Sequence, residues 1–463
     1  MTTVEKKYNC VVEEPKSIAK LKSVSMCDDR PLEERERLVS DDFLRSIQWT
    51  IGRIPLTPFG RETIVYRGPD PGTNFEWIKA ASMACCDNVE AVAAMFPKEG
   101  EVKKCALFGV NNFLGYADDM NRVSYLSGYS RNELSATSAD LGGCSSPLFA
   151  GTTAWMREAE IAVSDLVGSE DAALFPSGYL ANLALISMLV GPKDVVVMDD
   201  HIHMSLRHAT WALRGPKPLM FKHDDVEDMA AKLRIAKEAG AVEVWAVVES
   251  IYSMDGNLAP LRAIADAAKF VGARLIIDDS HGVGVLGPHG AGGPAACGLV
   301  PKIDYEVHVF SLSKALNSGG GAICGSTKLL WLIKRRSIVY IFSAGITDPI
   351  KVRIAMCART CKRDDERRKK LFENIALANR ILRSADAIDQ SRVICSLNSP
   401  LIKVFVTSAM AATLSCMADG VFVNGVQYPA VPIGEDILRI SICACHEPRD
   451  IEKMCAAIIH ALA

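Results

Sequence analysis

Short apolar runs that end abruptly in polar side chains recur between residues 170 and 330. They are Ala173-Leu-Phe-Pro-Ser177, Val195-Val-Val-Met-Asp199, Val244-Trp-Ala-Val-Val-Glu249 and Leu275-Ile-Ile-Asp278. An unbroken apolar run this short suits a strand buried on both faces, and helix-patterned segments separate the runs. Such alternation predicts an α/β fold with a mostly parallel, doubly wound sheet. Open sheets of this kind bind ligands beyond the carboxyl ends of their strands. Ser177, His203, Glu249, Ser253, Asp278, His281 and Lys314 are therefore expected to converge on one rim.

The stretch Val309-Phe-Ser-Leu-Ser-Lys314-Ala-Leu-Asn-Ser-Gly-Gly-Gly321 gives that rim a chemistry. A lysine set between hydroxyl residues and a glycine patch suits an amine that closely approaches a planar group, as the Schiff-base lysine of pyridoxal phosphate (PLP) does. A strand-end Asp278 can keep a pyridinium nitrogen protonated. Ser177 and Gly178 leave free amides at a helix start, a setting that holds a phosphate. The loop Leu141-Gly-Gly-Cys-Ser-Ser-Pro-Leu-Phe-Ala-Gly151-Thr-Thr, before a helix near Ala154, offers the same. A flat imidazole in Asp199-Asp-His201-Ile-His203 could stack on a ring. Arg439, in an apolar alternating run, is costly to bury unpaired and could receive a carboxylate bidentately. Taken singly, these residues are equally well read as caps, solvated loop residues or ion pairs. Their convergence on one rim is what favours a cofactor site.

The rest of the chain sets bounds. At 463 residues it exceeds one ordinary core, so we expect an N-terminal extension (1–104), a large PLP-binding α/β domain (105–345) and a smaller C-terminal α+β domain (346–463). Residues 1–40 are charge-rich, and helical patterning appears around Val89-Glu-Ala-Val-Ala-Ala-Met-Phe. A net charge of −3 gives no footprint for nucleic acid or an anionic membrane. No apolar run reaches the roughly 18 residues of a spanning helix. The amino terminus has no apolar signal region, so a cytoplasmic location is expected. The fifteen cysteines are scattered without a CxxC pair or a histidine spacing for zinc, so no metal and reduced thiols are expected. Cys443 and Cys445 alternate along an expected strand.

From about Phe108 onward the chain resembles the α-oxoamine synthase family of fold-type I PLP enzymes. The resemblance rests on Asn111-Asn-Phe-Leu-Gly, Ser177-Gly-Tyr-Leu-Ala-Asn, Glu249-Ser-Ile-Tyr-Ser-Met-Asp-Gly, Asp278-Asp-Ser-His-Gly-Val-Gly, Ser313-Lys314, Tyr428-Pro-Ala-Val-Pro and Leu438-Arg-Ile-Ser, in the family's order. It implies decarboxylative condensation of an amino acid with an acyl-CoA, giving an aminoketone, in a homodimer with shared active sites. It implies Lys314 as Schiff-base lysine and base, Asp278 at the pyridine nitrogen and His203 on the ring. Ser253 and His281 would neighbour the phenolic oxygen and the acyl carbonyl, and Glu249 would line the cofactor site. The amides of Ser177, Gly178 and Tyr179, with Ser311, would contact the phosphate. Arg439 would bind the substrate carboxylate, with Asn111 nearby.

Two positions depart from the family pattern. Met156 stands where a histidine is usual, and Ser343-Ala-Gly-Ile-Thr-Asp replaces a Ser/Thr-rich contact followed by two prolines. Tyr340-Ile-Phe-Ser and Ser441-Ile-Cys-Ala resemble bacterial serine palmitoyltransferases, whereas His203-Met-Ser-Leu, Asp279-Ser-His and Ser311-Leu-Ser-Lys-Ala resemble the bacterial autoinducer synthases; serine with a long-chain acyl group is the leading expectation by motif analogy. A fold-type I aminotransferase and a catalytically silent synthase subunit are the alternatives.

Overall fold

The computed structural model describes residues 51–55, 62–67, 101–116, 119–129, 145–211, 213, 217–428 and 430–462. The charge-rich start, the patch at Val89 to Phe96, Leu141 to Cys144 and Pro429 lie outside the described residues. The chain divides into two compact units, Met1–Leu56 with Thr63–Lys104, and Thr57–Glu62 with the body Cys105–Ala463. In the first, strands β1 (Ile51–Pro55) and β2 (Glu62–Arg67) pair antiparallel. Strand β3 (Glu101–Leu107) leads into the body, where Ala106 and Leu107 lie beside Val421 and Phe422 in parallel register.

The body is built on a seven-stranded sheet. Its strands are β4 (Asp171–Phe175), β5 (Val195–Asp199), β6 (Leu219–Phe221), β7 (Val244–Glu249), β8 (Arg274–Asp278), β9 (Val307–Ser311) and β10 (Gly321–Gly325). They lie in the order β4-β10-β9-β8-β7-β5-β6. The pairings from β9 to β6 are parallel, while β10 runs antiparallel to both its neighbours. This is the expected mostly parallel sheet with one reversed strand.

Side chains alternate across the sheet, which explains why the runs are apolar throughout. Val196, Met198, Trp245, Val247 and Ile276 enter one core with helices α1 (Gly178–Leu189) and α2 (Met204–Trp211). Val195, Val197, Val244, Ala246, Val248, Leu275 and Ile277 enter another with α3 (Val226–Glu238) and α4 (Leu261–Val271). A strand covered on both faces has no solvent side to make polar.

A third core joins the β4–β10 end of this sheet to helices α5 (Asp348–Arg363) and α6 (Asp365–Arg383) and to the C-terminal sheet. That sheet consists of β11 (Val393–Cys395), β12 (Leu401–Phe405), β14 (Asn424–Val426) and β15 (Ile437–Ser441), with β13 (Val421–Phe422) pairing elsewhere. Its order is β11-β12-β15-β14, antiparallel throughout. Helices α5 and α6 are separated at Asp364, whose side chain caps α6 by accepting from the Arg367 amide. The structure corrects two local expectations. Strand β15 is buried at all five positions, not alternating. The strand also ends at Ser441, before Cys443 and Cys445.

The glycine patch has a packing role. A Cβ on Gly321 would lie 2.5 Å from the Gly178 N and Cα and from the Ser177 carbonyl oxygen, and Gly320 holds φ at +115°. The start of β10 thus rests directly on the backbone of the turn after β4. Gly321→Ala should force these backbones apart and destabilise the fold by about 1–3 kcal/mol, as overpacking does. An unchanged thermal midpoint would contradict this packing.

Candidate active site

The strand ends deliver the expected residues to one rim. Turns after β4, β5, β7, β8 and β9 carry Ser177, His203, Ser253, His281 and Lys314, while Glu249, Asp278 and Ser311 close their strands. Glu249 and Asp278 are register partners on β7 and β8, so two carboxyl groups sit side by side. Burial pushes the Glu249 carboxyl well up, and Asp278 pushes it further; backbone amides of His203 and Ser253 act the other way.

Lys314 Nζ lies 2.7 Å from His281 Nε2. Burial lowers the lysine to about 8, against the opposing pull of Asp278 and Glu249. Burial, with Lys314 and Arg439 nearby, holds His281 far below its ordinary value, so its imidazole is neutral. With Nε2 accepting from Lys314, the ring proton lies on Nδ1, which is buried without a partner.

Asp278 is fixed at both oxygens: Oδ1 accepts from the Ser280 amide at 3.0 Å and Oδ2 from Asn182 Nδ2 at 2.7 Å. Asn182 Nδ2 also donates to Ser205 Oγ at 2.9 Å, and Ser205 Oγ stands 2.7 Å from His203 Nδ1. The Ser205 amide donates to the same Nδ1 at 3.2 Å, so that nitrogen accepts and the ring proton is on Nε2. Burial lowers the His203 value, which keeps it neutral. A continuous polar chain therefore links the acid of β8 to the imidazole after β5. Asn182, Ser205 and Ser280 were not singled out from the sequence. The available signal was a lone amide on the otherwise apolar helix α1.

Ser177 caps α1 by accepting from the Leu180 amide at 3.2 Å. A Cβ on Gly178 would sit 2.8 Å from the Ser311 Cβ, so the cap of α1 and the end of β9 are in direct contact. Ser311 Oγ is 2.8 Å from Ser313 Oγ. The Tyr179 side chain turns away, with its hydroxyl 2.6 Å from His208 Nδ1. The Ser253 carbonyl oxygen accepts from Arg439 Nε at 2.6 Å. Arg439 Nη1 also donates to Asn111 Oδ1 at 3.1 Å and Ser441 Oγ at 3.4 Å. Burial lowers this guanidinium to about 10, and among the described residues no carboxylate forms a salt bridge with it. Met156 fills the apolar core beneath, which shows what replaces the histidine usual there.

His201 leaves the rim. It stacks on His223 at 4.1 Å, 13° from parallel, and its Nδ1 lies 2.8 Å from Asp255. His201, His223 and Asp255, and likewise Asp199, His223 and Asp224, bring potential metal-ligating atoms within 4.8 Å, a clustering invisible in the sequence spacing. The in-plane lone pairs of two stacked imidazoles do not converge on one ion. Lys403 Nζ, 2.7 Å from Asp255, and His223, raised to about 9 by Asp199 against its burial, balance the acids instead.

The rim fits PLP. It offers a buried amine, a fixed carboxylate, a helix N-terminus against a serine, and orphaned buried atoms at His281 Nδ1 and Glu249 Oε1. Fold and rim together define a fold-type I PLP transferase. The aminotransferase class I and II family profile matches residues 137–458. The 8-amino-7-oxononanoate synthase of Hahella chejuensis is 29% identical over 76% of this chain and 86% of its own length. The serine palmitoyltransferase of Sphingobacterium spiritivorum is 30% identical over 76% and 85% respectively. A high-resolution structure of SPT with PLP internal aldimine superposes with a TM-score of 0.69 at 27% identity, covering 78% of this chain and 87% of that one. The chain belongs to the aminotransferase class I and II family, in its α-oxoamine synthase branch, and is a PLP-dependent C-acyltransferase.

The buried lysine gives a direct test. In apoenzyme, Lys314 should react with an amine-directed electrophile along a pH curve with its midpoint near 8, because burial favours the neutral amine. A midpoint near the 10.5 of an ordinary lysine would contradict the site as described.

Proposed function

We propose that the protein condenses serine with a long-chain acyl-CoA, releasing CoA and CO2 and forming an α-amino ketone. The observation that carries this reading is Arg439: a buried guanidinium held by neutral acceptors, on the rim that holds Lys314 and His281. A buried cation without an anion is an incomplete arrangement, and a substrate carboxylate completes it with two charge-assisted hydrogen bonds. The choice of serine rests on Tyr340-Ile-Phe-Ser and Ser441-Ile-Cys-Ala, together with the serine palmitoyltransferases among the relatives.

In this reading Lys314 would hold the cofactor, with Asp278 at its ring nitrogen and His203 beside its ring. The amides from Ser177 to Tyr179, with Ser311, would take its phosphate, and Glu249, whose carboxyl burial pushes well up, would line the pocket beside Asp278. Bound PLP supplies an electron sink for the pair left at the amino acid's α-carbon. Lys314, near 8, is suited to take and return the α-proton at Nζ close to neutral pH. His281 offers its Nδ1 proton to the thioester carbonyl oxygen, where negative charge develops as the new carbon–carbon bond forms. Ser253 lies beside it, and Asn111 keeps Arg439 aimed at the carboxylate. Burial of the rim excludes water that would hydrolyse the thioester.

A homodimer with shared sites is part of the proposal. Phe149 and Phe342 are exposed to 76% and 79% on neighbouring elements of this chain. Among the described residues no helix is long and apolar enough to cross a membrane.

Incubation with serine and palmitoyl-CoA should release free CoA and CO2 together, whereas an aminotransferase would release neither. Lys314→Ala should abolish both products and the absorbance band of the lysine–PLP Schiff base. Arg439→Ala should raise the serine KM by roughly 10- to 100-fold, the scale of charge-assisted hydrogen bonds. An unchanged KM would remove Arg439 from substrate binding.

A further inference from the structure

Cys443 and Cys445 sit in a turn just beyond β15, closed by the His446 amide donating to the Cys443 carbonyl at 3.2 Å. The turn is pinned from several sides. The Cys443 amide donates to His446 Nδ1 at 3.1 Å, and the Ala444 amide to the Phe113 carbonyl at 2.8 Å. Asn374 Nδ2 donates to the carbonyls of both Cys443 and His446, each at 2.9 Å. Within this frame the two Sγ atoms stand 3.0 Å apart. A disulfide needs them about 1 Å closer, near ~2.05 Å, with Cα atoms at a separation that residues i and i+2 of a turn satisfy. Cys445 is half-buried and Cys443 buried, so Cys445 is the residue of the pair nearer to solvent.

The pair is also wired to the substrate edge of the rim. Cys443 Sγ–H donates to the Asn112 carbonyl at 2.6 Å. Asn112 follows Asn111, whose Oδ1 accepts from Arg439 Nη1 and from Ser441 Oγ, both at 3.1 Å. Ser441 in turn lies two residues before Cys443. A disulfide has no S–H, so oxidation removes this donor from the loop that carries Asn111.

We propose that Cys443 and Cys445 form a reversible dithiol–disulfide site that a peroxide oxidises, and that the oxidised form binds the amino-acid substrate more weakly. The second half rests on the reading of Arg439 as the carboxylate binder. In the first step the Cys445 thiolate attacks one peroxide oxygen; the O–O bond breaks, sulfenic acid forms and water leaves after protonation. In the second step the Cys443 sulfur attacks the Cys445 sulfur and the S–S bond forms. The S–O bond breaks, and hydroxide leaves as water with the Cys443 proton. Two thiols and one hydrogen peroxide thus give one disulfide and two waters. A small thiol reverses the change by exchange.

The test uses PLP-loaded enzyme treated with graded hydrogen peroxide, alkylated, digested and analysed by mass spectrometry. The peptide spanning both cysteines should lose two hydrogens and escape alkylation, and dithiothreitol should restore it. Exposed Cys297 serves as the internal control for thiol reactivity. Serine affinity, read from the PLP absorbance shift, should weaken by roughly 2- to 10-fold on oxidation, the scale of one lost neutral hydrogen bond, and recover on reduction. Cys445→Ser should lose both the disulfide and the peroxide response while binding serine normally. Cys443→Ser should also lose the disulfide, and Cys445→Ala covers any folding defect in that variant.

Both thiols alkylated at peroxide levels that oxidise Cys297, or disulfides only to other cysteines, would overturn the proposal. A reversible disulfide with unchanged serine affinity would overturn the coupling. If reduced enzyme binds no amino acid at all, the reading of Arg439 fails, while the mass measurement still decides the thiol pair.

Discussion

Lys314 and Arg439 are cations carried into the protein interior, and the rest of the site is arranged around the cost of putting them there. Burial pulls both below their ordinary values, to about 8 and about 10. Neither forms a salt bridge with a carboxylate among the described residues. Lys314 is met by an imidazole that burial keeps neutral, and Arg439 by a backbone carbonyl, an amide oxygen and a hydroxyl. The acids nearby are similarly constrained, since Glu249 and Asp278 adjoin and cannot both ionise cheaply. Asp278 is the one held by donors at both oxygens, from Asn182 and the Ser280 amide. A pocket in this condition stores electrostatic demand, which a ligand bearing charges of the right sign relieves.

The sheet makes such a pocket possible. Parallel strands covered on both faces put every chain turn at one end on the same rim, so residues far apart in sequence meet without long loops. The reversed strand β10 gives that rim a firm edge. It brings the glycine patch against the cap of α1, and the Gly178–Ser311 contact leaves no side-chain volume between the helix start and the end of β9. Backbone amides are thereby presented at a helix N-terminus, where an anion is favoured.

Much of this was legible because it is local. A buried strand must be apolar, so polar residues at its end stand out, and Glu249, Asp278, His281 and Lys314 could be read directly. What could not be read depends on packing between distant segments. Asn182 faces Asp278 across 96 residues only because α1 packs over β9 and β10, next to the end of β8. The reversal of β10 leaves no mark in Gly-Ala-Ile-Cys-Gly, which resembles any other short strand. Arg439 was expected on an alternating strand, but β15 lies between β12 and β14 with its inner positions covered. The turn holding Cys443 and Cys445 read as strand because its hydrogen bonds go to Phe113, Asn374 and His446 rather than to turn-forming glycine or proline.

The C-terminal sheet is tied to the rim through the loop after β7. Arg439 on β15 grips the Ser253 carbonyl, and Lys403 on β12 grips Asp255 two residues later. These bonds differ in kind. Lys403–Asp255 is a salt bridge between two buried groups, and breaking it would strand a charge. The bond from Arg439 is to a neutral carbonyl, which a stronger acceptor can replace with little loss. On the proposed reading of Arg439, an incoming carboxylate competes for it while Lys403 keeps the loop in place. Such a division lets the site take up an anion without loosening the sheet that presents it.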